Sequence, residues 1–71
     1  RHFLLVDNTS DVLGVWELED ERAISRLKLK LSLSFPGCRT IVAKAQDFEA
    51  FKAKYRDYDY TGVTPELFSA A

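Results

Sequence analysis

The ten residues from Arg26 to Phe35, RLKLKLSLSF, alternate polar and apolar side chains without a break, the period of a strand with one dry face and one wet one. Read as a strand, residues 27–35 send Leu27, Leu29, Leu31, Leu33 and Phe35 inward and Lys28, Lys30, Ser32 and Ser34 outward, before Pro36-Gly37 turns the chain. That reading squeezes the preceding crossover into residues 20–26, which hold no Gly, Pro or Asn after Asp20, and Pro-Gly is not among the favoured two-residue hairpin turns. Read instead as a helix capped near Asp20 and ending near Ser34, the stretch places Ala23, Ile24, Leu27, Leu31 and Phe35 along one side. Ala, Leu, Lys and Arg are strong helix formers, and Ile24 is its one β-branched residue. Propensity and crossover length therefore favour the helix. It leaves Leu29 and Leu33, one turn apart, on the side away from the core.

The flanking segments fill in a mixed α/β (α+β) fold. Phe3 to Val6 is a continuous apolar run ending at the turn formers Asp7 to Asp11, and Val12 to Leu18 follows as a second strand. The first of these lacks polar alternates, so it is expected at the sheet centre, covered on both faces, with the second at an edge. Gly14 marks a bulge or a close backbone approach, and Trp16 is expected to share a face with Val12 and Leu18. Gly37 to Ala43 is a third strand. Asp47 then caps a helix whose Phe48, Phe51, Tyr55 and Tyr58 lie on one face. A last helical turn is expected from Pro65 to Ser69. The order is β-β-α-β-α, with a three-stranded, mainly antiparallel sheet of order 2-1-3; the alternative is a four-stranded sheet containing residues 27–35.

With 71 residues, the chain makes one small domain, residues 1–71, standing alone or as a fragment or subunit of a larger assembly. At this size only about 60% of the unfolded surface is buried on folding. The single Cys38 has no internal disulfide partner and no apolar run is long enough for a signal peptide or a membrane span, which points to a reducing, cytoplasmic setting. Formal charge is −1, far from that of a dedicated nucleic-acid binder. Its distribution is uneven: Glu17, Glu19, Asp20 and Glu21 cluster, whereas residues 22–44 carry Arg22, Arg26, Lys28, Lys30, Arg39 and Lys44 and no acid.

Motifs for chemistry are missing from this pattern. His2 and Cys38 are the only imidazole and thiol and belong to no spaced ligand set; the Asp pairs in the turns do not make a calcium loop. The three glycines stand singly, so no phosphate-cradling loop is encoded. Ser10, Ser25, Ser32, Ser34 and Ser69 sit in no nucleophile context, and Cys38 reads as a partly buried structural thiol. No catalytic residue, metal or cofactor is expected. By elimination the chain reads as a non-enzymatic protein-interaction or regulatory module, binding another protein or a second copy of itself, with no membrane role. Leu29 and Leu33 rimmed by Arg26, Lys28 and Lys30 form the first candidate surface, an apolar centre with a charged border. In a dimer, the acidic run of one copy would face the basic run of the other. Tyr58 and Tyr60 form a second candidate. The alternative is nucleic-acid binding through the basic 22–44 segment and exposed aromatics.

Overall fold

The computed structural model describes residues 1–9 and 11–69; Ser10, part of the expected first turn, lies outside them. Four strands and two helices follow in the order β1 (His2–Asn8), β2 (Asp11–Leu18), α1 (Glu21–Ser34), β3 (Arg39–Lys44), α2 (Phe48–Lys54) and β4 (Glu66–Phe68). The sheet order is β3-β1-β2-β4, antiparallel except for the parallel β2–β4 pair. Both sheet readings made from sequence are thereby corrected. The three-stranded 2-1-3 sheet gains a fourth strand from residues 66–68, and residues 27–35 do not supply it.

Those residues are helical because the ends of α1 are well terminated. Asp20 Oδ1 accepts the Ala23 N–H at 3.1 Å, Glu21 sits at the positive end of the helix, and at the other end the Phe35 N–H donates to Leu31 O at 2.7 Å before Pro36. Gly37 then takes φ +84°, a left-handed conformation suited to glycine. Between these ends the alternating sequence is divided by helical, not strand, geometry: Ala23, Leu27 and Leu31 are buried, and Leu29 and Leu33 are not.

The expected helical turn at Pro65–Ser69 is overturned too. The outer edge of β2 offers this segment backbone partners that a single isolated helical turn would lack. Asp59 already bridges to Asp11 along that edge, and residues 66–68 then pair with Trp16, Glu17 and Leu18. The gain is apolar: Phe68 packs against the α1-side core. Consequently β2 is an interior strand and the edges are β3 and β4.

The sheet is covered on both faces. On one, Leu4, Val6 and Leu18 meet Ala23, Leu27 and Leu31 of α1; on the other, Phe3, Leu5 and Val15 meet Phe51 of α2. Successive β1 residues feed opposite cores, and this explains the unbroken FLLV run. The β1–β2 register slips between Val6, opposite Gly14, and Asp7, opposite Val12, so Leu13 is an extra residue. A slip of one residue inverts the faces. Val12 therefore joins the α2-side core while Trp16 stays with Leu18 on the α1 side, correcting the expectation that all three share a face.

Gly14 serves the close approach as well as the bulge. A Cβ placed there would lie 2.7 Å from Trp16 Cη2 and 2.9 Å from Cζ3. Gly14→Ala must shift the tip of the half-buried Trp16 indole, a cost partly offset by the removal of a flexible strand glycine, so the expected net loss is about 1 kcal/mol or less. A urea titration followed by Trp16 fluorescence should show a lower midpoint and a red-shifted native spectrum.

Candidate interaction surface

The outward side of α1 carries two of the four large hydrophobic side chains exposed among the described residues, the others being Leu13 and Leu67. Leu29 is 65% exposed and Leu33 79%, because the 100° helical step that sinks Leu27 and Leu31 into the core turns residues two positions further on away from it. Exposed Arg22 and Arg26 share this side, with Arg22 Nη2 held 3.5 Å from Asp20. Lys30 flanks it towards β4, its Nζ 6.0 Å from the centroid of the Phe68 ring. Lys28 departs from the expected border: with Ser32 and Phe35 it lines a groove over the β3 side of the sheet. The helix thus brings Leu29, Leu33, Arg26 and Lys30 together and sends Lys28 elsewhere.

The second expected surface, Tyr58 and Tyr60, is half-buried. Helix α2 ends at Lys54, with Tyr55 as its C-cap, so Tyr58 reaches the sheet from the following turn and not from the helix. Both Tyr58 and Tyr60 pack against the α2-side core, their rings 6.4 Å apart, and the Tyr60 hydroxyl donates to Tyr55 O at 2.7 Å.

Tyr58 belongs to a cluster that sequence reading missed. Asp7, 2% exposed, is the last but one residue of β1 and lies on its α2 face, and its Oδ2 accepts from Tyr58 OH at 2.5 Å and from Arg39 Nη2 and Nε at 3.0 and 3.3 Å. Arg39 Nη2 also donates to the Tyr58 oxygen at 3.1 Å. The Tyr58 hydrogen bond, helped by Arg39 and opposed by burial, holds the Asp7 carboxyl below its usual range. Tyr58 is correspondingly raised, first by its bond to Asp7. Three separated segments, β1, β3 and the turn after α2, are clasped at one oxygen. Asp7 had been legible only as a turn former; its position as the next alternate after Phe3 and Leu5 was the available signal that it points inward.

The acidic run is largely engaged within the chain. Glu17 lies 3.5 Å from Arg1, Glu19 accepts from Ser69 Oγ at 3.1 Å, and Asp20 caps α1. Two shallow grooves, ≈ 250 Å³ beside Trp16 and ≈ 240 Å³ beside Phe35, fall short of the roughly 300–1,000 Å³ of a small-molecule pocket. Among the described residues no group of three His, Cys, Asp or Glu side chains is placed to hold a metal ion, and no helix is long and apolar enough to cross a membrane. Compared with known proteins, the chain matches no family model, no curated protein and no solved structure.

Proposed function

We propose that this small α/β domain is a non-enzymatic interaction module of a reducing, cytoplasmic setting, and that the outward face of α1 docks an acidic amphipathic helix of a partner protein. The observation that carries this reading is the pair Leu29 and Leu33, one turn apart and mostly exposed on a helix whose other side is fully used by the core. An amphipathic helix can pack its apolar stripe against such a pair, ridge into groove, as helices do on one another. Charge selects the partner. Arg22, Arg26 and Lys30 border the leucines, and α1 carries no acid after Glu21, so acidic side chains flanking an apolar stripe complement it. Two further observations weigh against a second copy: pairing the face with itself juxtaposes like charges, and Glu17, Glu19 and Asp20 of the acidic run are engaged within their own chain. Nucleic acid is disfavoured by the separation of Lys28 from Arg26 and Lys30 and by the seating of Tyr58 and Tyr60 on the core.

The test uses a fluorescein-labelled amphipathic helix of about 18 residues, long enough to be helical, with Leu at i, i+4 spacing and Glu on either side. Leu29→Glu with Leu33→Glu changes only exposed positions, so the double variant should melt within about 0.5 kcal/mol of the parent yet lose binding. Equal affinity of parent and variant for the probe would refute the assignment, as would binding that is unchanged at about 0.5 M salt, where screening reduces charge attraction.

A further inference from the structure

The sheet carries a second unpartnered feature that the α1 face leaves unexplained, the outer edge of β3. The Ala45 N–H donates to Arg1 O at 2.9 Å, and His2 lies opposite Lys44 in unbroken antiparallel register. Odd-numbered β3 residues therefore turn their backbone groups towards β1, and Thr40, Val42 and Lys44 turn theirs outward. Lys44 O is met by Lys54 Nζ at 3.1 Å. The N–H and C=O of Thr40 and Val42 have no partner among the described residues.

Beside this edge, on the α1 side, lies the ≈ 240 Å³ groove. Its floor is apolar, from Val6, Leu31, Phe35 and Cys38, with Thr40 along the strand and exposed Lys28 and Ser32 at the rim. It exists because α1 buries its core residues against Leu4, Val6 and Leu18 of β1 and β2, leaving β3 to contribute only half-buried Val42 to that core.

We infer that an extended acidic segment of a partner protein adds to β3 as a fifth strand, bonding to the backbone of Thr40 and Val42 and seating one apolar side chain in the groove between α1 and β3. Strand addition takes affinity from main-chain bonds and specificity from alternate side chains, and a groove beside an open edge provides both. The charge of the edge chooses an acidic segment over a second copy. Residues 22–44 contain no acid, Lys28 stands at the groove rim and Lys44 closes the strand, so a two-fold pairing of β3 with itself would bring only further cations to the seam.

The experiment titrates the acetylated heptapeptide Glu-Val-Asp-Val-Glu-Val-Asp amide, to roughly 1 mM, into the 15N-labelled chain. Amide shifts centred on Cys38, Thr40 and Val42, with slowed exchange of the Thr40 and Val42 N–H groups, are the expected result. Lys28→Glu should weaken binding roughly fivefold or more. Thr40→Pro removes only an outward N–H, a place where edge strands tolerate proline, and should weaken it roughly tenfold. If that variant does not fold, amide exchange and Lys28→Glu decide. The Leu29→Glu, Leu33→Glu variant should bind the heptapeptide unchanged, which separates this site from the α1 face. Absence of shifts at Thr40 and Val42, shifts confined to α1, or a β3-dependent dimer of the free chain would each overturn the inference.

Discussion

Replacing Asp7 with Ala should lower unfolding free energy by about 2–4 kcal/mol, the range for removing the acceptor from a buried, charge-assisted hydrogen-bond cluster. The whole chain, at roughly 0.05–0.15 kcal/mol per residue, has about 4–10 kcal/mol to lose. Asp7 Oδ2 is the common acceptor for Tyr58 and for two Arg39 nitrogens, so its loss takes the acceptor from the Tyr58 O–H and unties both side chains from the β1 backbone segment. Most of the cost lies on the buried oxygen and the cavity. The Arg39 side chain is 69% exposed, and solvent screens its share. Urea titration measures the change directly.

A pH dependence accompanies it. Because folding lowers the Asp7 pKa from the ordinary 3.8, the carboxylate's stabilisation is fully present above that value and is lost as pH falls through the lower, folded one. Tyr58 works in the opposite sense at the alkaline end. Its pKa is raised above 10.0, so the hydroxyl's contribution is present below pH 10.0 and disappears as pH rises through the folded value. In Asp7→Asn, stability should fall less steeply below pH 4. Asp20 and Asp59, also lowered by backbone N–H groups, keep a residual slope.

A large apolar loss is expected at Phe51. It is fully buried, with its ring centroid 5.5 Å from that of Phe3 and 5.1 Å from that of Tyr55. Phe51→Ala should cost about 3–5 kcal/mol. Helix α2 has seven residues, too short to persist without docking, and Phe51 is its one fully buried side chain. Loss of that anchor should therefore uncover the α2 face of the sheet, with collapse of the near-ultraviolet dichroism of Tyr55, Tyr58 and Tyr60 and dye binding to the exposed apolar surface. By contrast, the same change at half-buried Phe48, whose ring lies 4.9 Å from Lys52 Nζ, should cost less.

What was legible in the sequence was whatever depends on local rules. Asp20 and Asp47 announced both helix starts, and each accepts the N–H three residues on. The FLLV run announced a strand covered on both faces. Gly14 announced a bulge or a close backbone approach, but not its consequence, since inversion of the faces at Val12 depends on which β2 residue is left unpaired against β1. The features that were not legible are long-range. β4 is three residues whose pairing depends on an edge built 50 residues earlier, with Phe68 opposite Leu18. Arg39 and Tyr58 find Asp7 across 32 and 51 residues, and nothing in the local composition of any of them marks the meeting. Leu29 and Leu33 lie between these extremes. Their exposure followed from choosing the helix, while the exit of Lys28 to the β3 side required knowing that α1 leans over β1 and β2.

The docking face of α1 is tested most directly by leucine-methyl NMR, with and without the acidic amphipathic helix. The methyls of Leu29 and Leu33 should shift on titration while those of buried Leu4, Leu27 and Leu31 hold still. Binding that leaves Leu29 and Leu33 unmoved, or no binding up to roughly 1 mM, would contradict the assignment of this face as the interaction surface.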